Sequence, residues 1–512
     1  MEEVGITTAS KFWVIEDGKP VFTTEAVFQF LKEHGIGILD NKYLEYIKGV
    51  MFIKIEGKIV KPIKSDDIRS YLYRYIDSVY KFNTPEEKTT LLQKFAKDQI
   101  MFERKTLLLM EPIEVNELLD TKTTSYLFFK NCVLKVTKDG INRLSYDEID
   151  GLVFEKEVID YNLPEIDVLD TAIENIKNDE GEYLNFIYDV CGYNDEDHQE
   201  EALQNFDSLK SIMGYMLNRY KDPSIPLAVV LLDPTRGSND ESNGGSGKGI
   251  LVKSLGKLRA FSPFNGKKLK ASSQFCLQRV EYGDRLLMLE DMPRHFDFED
   301  LYTFITDFMA IERKYNDEYI ISPEASPKII ITANHVLKNS GGDSSKRRKV
   351  DFTLADYYGS KYSPDMKYGH NLFLDWEKDG IEWQNFYVLM AYFLYYYMVN
   401  GIKQSNKSVE ERLLVEAVDP SFITYIDENI KPNIEYNKAT IYGCFREYSN
   451  MDLLGITTFR NWLSLYAKAK GYKFNERHSM YDRFFTYTPI NVEVETGQLT
   501  INPFKTADDD NN

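Results

Sequence analysis

The sequence predicts an α/β multidomain protein organised around a nucleotide-binding core, and three observations carry that expectation. The apolar run 227–232 is followed by a polar loop, then by Gly244-Gly245-Ser246-Gly247-Lys248-Gly249 and a segment of helical spacing at 250–258. Strand, glycine loop and helix in that order are the layout of a phosphate-binding loop. From Pro226 onward short apolar strands alternate with helical stretches, as in a parallel α/β sheet. Segments of opposite charge flank this core, an acidic one before it and a basic-leaning one near the carboxyl end.

The loop chemistry follows from its residue types. Glycines let successive backbone N–H groups turn inward around a phosphate without a side chain blocking the approach. The following helix adds the positive end of its dipole, and Lys248 adds a full charge. The hydroxyl residue that ordinarily follows the lysine and ligates Mg²⁺ is here Gly249, so the metal has to be held by water and by acids elsewhere. The spacing Gly-Ser-Gly-Lys-Gly is closer to nucleotide-kinase loops, and residues 234–243 lengthen the turn before the glycines.

Composition narrows the class. A chain of 512 residues is long enough for roughly three or four domains. Four cysteines without paired spacing (Cys132, Cys191, Cys276, Cys444) argue against a zinc site or a disulfide framework and for a reducing, cytoplasmic setting. The amino terminus has no signal-peptide layout, and the longest apolar run, 386–399, holds five tyrosines and reads as a buried helix, so no membrane partner is expected. The net charge of −19 is concentrated: residues 147–207 hold 20 acids against Lys156 and Lys177, a local balance of −18. The remainder is near neutral, which leaves nucleic-acid binding open. The acidic stretch reads as a solvated outer face, or as a surface that keeps DNA off the outside of a ring.

Taken in order, residues 1–80 read as a small α/β module. Thr23 or Thr24 caps a helix over 25–34 ended by Gly35, residues 50–63 form a hairpin around Glu56-Gly57, and Ser65 opens a second helix over 66–80. Residues 81–225 are mixed and then helical, an acidic collar with helices near 169–176 and 203–220. Residues 226–375 carry the nucleotide core. There, 286–291 is an apolar strand ending in Glu290 and Asp291, suited to metal and water chemistry. A strand at 328–334 ends in Asn334, and a basic run, 345–349, contains Arg347 and Arg348. Residues 376–500 hold the tyrosine-rich helix and then helices at 439–448 and 457–470 with a strand-like end at 480–488, the pattern of a winged helix. Nine bases and five acids lie between Lys431 and Arg483, and Arg460, Lys468 and Lys470 fall on or after the second helix, where phosphates are met. Residues 501–512 read as a disordered tail.

Together these motifs resemble the superfamily 3 helicases, ring-forming AAA+ motors of small viruses, phages and plasmids, over roughly residues 120–490. The glycine run 244–249 looks like Walker A, 286–291 like Walker B, 305–320 like the family's extra motif, and 328–334 like motif C. Phe128-Phe129-Lys130-Asn131-Cys132-Val133 is similar to the collar of poxvirus- and phage-type primase-helicases, where glycine more often stands at the Cys132 position. The resemblance implies an AAA+ P-loop NTPase core with a helical collar and a C-terminal winged helix, binding ATP and Mg²⁺ between subunits of a homo-hexamer. It implies Lys248 on the phosphates, Glu290 and Asp291 on metal and water, Asn334 as γ-phosphate sensor, and Arg347 or Arg348 completing the neighbour's site. It further implies 3′ to 5′ movement on single-stranded or forked DNA in phage or mobile-element replication, gripped by Arg313, Lys314 and Tyr315 of a hairpin facing the channel. Residues 1–80 have no carboxylate pair with a histidine for primase chemistry, so a separate primase or initiator is the expected partner. Two other readings compete: an ATP-regulated DNA-binding or defence protein that does not unwind, and a small-molecule kinase.

Overall fold

The computed structural model describes residues 11–490, apart from 234–244, 270, 272, 274, 294–295, 315–317, 335, 338–347, 404–413, 415–416, 450, 452 and 481. The expected tail at 501–512 and the long turn at 234–243 lie outside the described residues. The chain is an α/β protein of several packing units, with one parallel sheet at its centre and mixed or antiparallel sheets around it.

Thr23 caps the first helix, Thr24–Glu33, by accepting from the Ala26 amide, and the hairpin Phe52–Glu56/Ile59–Ile63 turns at Gly57 with φ +60°. The second helix, Ser65–Arg74, runs on through a π-helical turn, Tyr75–Val79. This module continues beyond residue 80. Its apolar cluster takes in Leu91, Phe95, Phe102, Leu107 and Met110, and its five-stranded sheet recruits Pro112–Glu114 and Val153–Phe154. The helix Pro85–Lys97 adds cover to this aromatic-rich cluster through Leu91 and Phe95.

The segment around Cys132 forms two antiparallel strands, Ser125–Phe129 and Val133–Thr137, with the Phe129 amide donating to the Cys132 carbonyl at 2.8 Å. Helices Val168–Lys177, Glu182–Cys191 and Gln199–Leu217 follow and pack with the tyrosine-rich helix Ile381–Asn400. Gly214 sets how closely the last pair crosses: a Cβ there would lie 2.1 Å from the Phe393 carbonyl oxygen. Among the described residues no helix is long and apolar enough to cross a membrane.

The central sheet has five parallel strands in the order Phe261–Asn265, Leu286–Met292, Lys328–Ala333, Ala228–Leu232, Lys349–Thr353. Alternation along each strand divides its side chains between two cores. Val229, Leu231, Leu286, Met288 and Ile330 join the helical layer, whereas Ala228, Val230, Leu232, Leu287, Leu289, Ile329 and Ile331 face the opposite one. Both faces being covered explains why these strands read as continuous apolar runs. The second core contains an antiparallel hairpin, Met309–Glu312/Glu318–Ile321, whose second strand also pairs with Leu44–Lys48 of the amino-terminal module and so lies in the middle of a three-stranded sheet.

At the carboxyl end, helices Pro420–Asn429, Lys438–Ser449 and Ile456–Ala469 enclose an aromatic cluster with the hairpin Tyr472–His478/Arg483–Pro489. Tyr436–Asn437 adds a third short strand.

Candidate active site

All five sheet strands are parallel, so the polar residues that end them gather along one edge. Leu232 leads to Asp233, Leu289 to Glu290 and Asp291, and Ala333 to Asn334. These residues and the described part of the glycine loop line one open cleft of about 510 Å³. Gly244 lies outside the described residues; Gly245, Ser246, Gly247, Lys248 and Gly249 all border the cleft.

The loop needs glycine at two places. Gly245 has φ +98° and Gly247 φ +100°, and a Cβ on Gly247 would lie 2.9 Å from a Phe186 ring carbon. Gly249 has neither restriction: a Cβ there would meet nothing within 4 Å. Gly247→Ala is therefore expected to distort the loop at a cost of about 1–3 kcal/mol and to weaken nucleotide binding. Gly249→Ala is expected to change stability by less than about 1 kcal/mol. Thermal midpoints and a nucleotide titration of both variants check the contrast; equal losses would contradict it.

Lys248 opens the helix Lys248–Leu255. Its ammonium pairs with Asp233 and donates to Asn334 Oδ1 at 3.0 Å. The second oxygen of Asp233 accepts from the Ser246 hydroxyl. Glu290 and Asp291 occupy a bulge, where pairing with the neighbouring strand jumps from Leu289 to Met292. Asp291 adopts φ +53°, and its amide donates to Thr332 Oγ1 at 3.0 Å. Such a bulge re-aims side chains away from the ladder, and aspartate is among the few residues that tolerate the left-handed region. Both carboxylates are exposed to the cleft, with Lys267 Nζ 3.8 Å from Asp291.

Among the described residues no group of three or more acids, histidines or cysteines is placed to hold a metal by itself. Mg²⁺ does not require one, because it ordinarily takes one or two carboxylates and completes its shell with phosphate oxygens and water. The exposed pair Glu290 and Asp291 fits that demand.

The other expected site residues are spread out. Arg347 and Tyr315 lie outside the described residues. Arg348 stands at the far edge of the sheet: its carbonyl accepts from the Ala228 amide at 2.9 Å, and its guanidinium lies 4.8 Å from the Tyr302 ring centroid. The strand Ala228–Leu232 separates that edge from the cleft by about 16 Å, so Arg348 does not reach the cleft. In the hairpin, Arg313 turns inward and donates to the Val280 carbonyl at 2.9 Å and to Tyr319 Oη at 3.0 Å. Lys314 is exposed at the tip, 5.8 Å from the Phe275 ring centroid. On the carboxyl-terminal helix, Arg460 pairs with Glu476, which also binds Lys438 at 2.6 Å. Arg460 and Lys438 hold Glu476 down at about 2. Lys470 sits 3.4 Å from Asp427, and Lys468 is exposed.

Asp233, Lys267 and Thr332 border the cleft without having been singled out in the sequence. Asp233 carried the one usable signal, a carboxylate ending the strand that feeds the loop.

No family model matches the chain, and no curated protein matches it. Among solved structures, the NrS-1 C-terminal region in its A-form apo structure aligns over 90% of this chain and 98% of that chain, at 13% identity and a TM-score of 0.30. A Drosophila ORC structure bound to DNA aligns over 64% of this chain and 92% of that chain, at 9% identity and a TM-score of 0.16. Superpositions this loose do not establish a shared fold.

Proposed function

We propose that this protein is an ATP-dependent DNA helicase of the superfamily 3 type, a ring of identical subunits that moves on single-stranded DNA with a AAA+ P-loop core and a winged-helix carboxyl end. The observation that carries the reading is the cleft, where a glycine loop, Lys248, an acid pair and Asn334 meet at one sheet edge. The interposed strand Lys328–Ala333 supports it, because it seats Asn334 between the glycine-loop strand and the acidic strand. A residue there touches Lys248 and faces the acids' side, as a γ-phosphate sensor must.

In this reading the loop amides and Lys248 hold the phosphates. One acid of the pair Glu290 and Asp291 would hold Mg²⁺, which would supply positive charge against the phosphates, and the other would orient the water that attacks the γ-phosphorus as ADP leaves. Arg348, too far for its own cleft, and Arg347 are the groups available to a neighbour's. The hairpin offers Lys314 to the DNA backbone, and the last helix offers Lys468.

Steady-state ATPase with and without a single-stranded oligonucleotide tests this assignment. Turnover in the wild type is expected to rise with DNA, and Lys314→Ala to abolish the rise. It should also flatten the salt dependence of binding by about 0.7 per lost phosphate contact. Normal stimulation in that variant would place the DNA grip elsewhere. A second reading, an ATP-driven DNA-binding switch without unwinding, is favoured by the hairpin's attachments: Arg313 is turned inward, and Glu318–Ile321 is tied to Leu44–Lys48. DNA-stimulated ATPase without strand displacement of a forked duplex selects it.

A further inference from the structure

We propose that Asp233 is an internal anion that holds the phosphate-binding partners of the cleft and makes nucleotide uptake depend on the divalent cation; this rests on the nucleotide-binding reading of the cleft. Three features of Asp233 carry it. Its backbone is fixed by the sheet, since its amide donates to the Ala333 carbonyl at 3.4 Å, so the carboxylate is held at the strand end. Both carboxylate oxygens are engaged by groups of the glycine loop, one by the Lys248 ammonium and the other by the Ser246 hydroxyl. The pair is largely withdrawn from water, at 13% exposure for the Asp233 side chain and 10% for Lys248.

An incoming nucleotide needs the cation that Asp233 already holds. Taking Lys248 over leaves a carboxylate without its counter-charge beside a polyanion, in a cleft where screening is weak. A nucleotide that carries its own divalent cation brings a replacement positive charge and avoids that juxtaposition. Asp233 thus acts as a positioning residue for Lys248 and as a selector for the metal–nucleotide complex. If Asp233 instead served only to brace the loop, its loss would weaken nucleotide binding equally with and without metal.

The two roles give opposite results in one experiment. Full-length wild type, Asp233→Asn and Ser246→Ala are titrated calorimetrically with ADP, in EDTA and again in excess Mg²⁺. Wild type is expected to bind in Mg²⁺ at least about tenfold more tightly than in EDTA. Asp233→Asn should bring the two affinities within about threefold, by tightening binding in EDTA. Ser246→Ala keeps the carboxylate and should keep the metal preference. An unchanged ratio in Asp233→Asn, or weaker binding in both buffers, overturns the proposal, as does an equal narrowing in Ser246→Ala. Wild type that binds ADP in neither buffer removes the nucleotide reading itself and this inference with it.

Discussion

Replacing Lys248 with alanine is expected to leave a folded protein whose ATP turnover falls by roughly two to three orders of magnitude. The side chain lies at the cleft, not in either apolar core, so its truncation removes no packing layer. Under the proposed function it does remove the ammonium that would stabilise charge on the transferring phosphoryl group, an effect expected in the transition state and therefore in kcat. Phosphate release at saturating ATP measures it, and unchanged turnover in a folded variant would falsify the phosphate-loop assignment. The same variant tests whether the site is shared. Arg348 sits at the sheet edge opposite the cleft, so a role in hydrolysis requires a neighbouring subunit. Arg348→Ala and Lys248→Ala proteins, each inactive alone, should regain part of the activity when mixed under conditions of subunit exchange. Mixtures that stay inactive would rule out a role for Arg348 in a neighbour's cleft.

What the sequence made legible was local. The strands of the parallel sheet are buried on both faces, so each is a continuous apolar run, and the residue that breaks each run marks the cleft edge: Asp233, Glu290, Asn334. Threonine at position 23 and glycine at 57 announce a cap and a turn through their own backbone chemistry. Long-range pairing has no such marker. Nothing in Leu44–Lys48 indicates that it completes a sheet with Glu318–Ile321, because an edge strand looks the same whichever strand it joins. Nor do Arg313 and Arg460 reveal that their charges are answered by Tyr319 and the Val280 carbonyl, or by Glu476. A basic residue on an amphipathic element reads as solvated until the partner is in place.

The largest feature hidden in this way is a buried ionic cluster between the amino-terminal half and the sheet, and it yields the largest expected effect on stability. Arg219 donates from Nε and Nη2 to Asp120 Oδ1, at 3.0 and 2.7 Å, and pairs with Glu157. Arg285 donates from Nε to Glu157 Oε1 at 2.8 Å and pairs with Glu117, which also accepts from Tyr282. Arg259, fully buried, donates to the Leu217 and Tyr126 carbonyls at 2.8 and 2.7 Å. Burial alone would push Glu157 upward, but Arg219 and Arg285 outweigh it and hold the carboxyl below its usual range; Asp120 is lowered in the same way by Arg219 and Arg259. A depressed carboxylate contributes stability that is present above its unfolded value and is lost as pH falls through the folded one. The cluster should therefore hold at neutral pH and fail only below about pH 4. Removing one acid is worse than removing a pair, because it leaves three buried guanidiniums, Arg219, Arg259 and Arg285, facing only Asp120 and Glu117. Glu157→Met is expected to cost about 3–5 kcal/mol, a large part of the stability of an ordinary domain. Glu157→Met combined with Arg285→Met should recover much of that loss, since fewer charges remain unanswered. Urea unfolding of the single and double variants, followed by the fluorescence of the four tryptophans, reads out the cycle. A double variant that loses the sum of the two single effects would show that these charges act independently and not as one cluster.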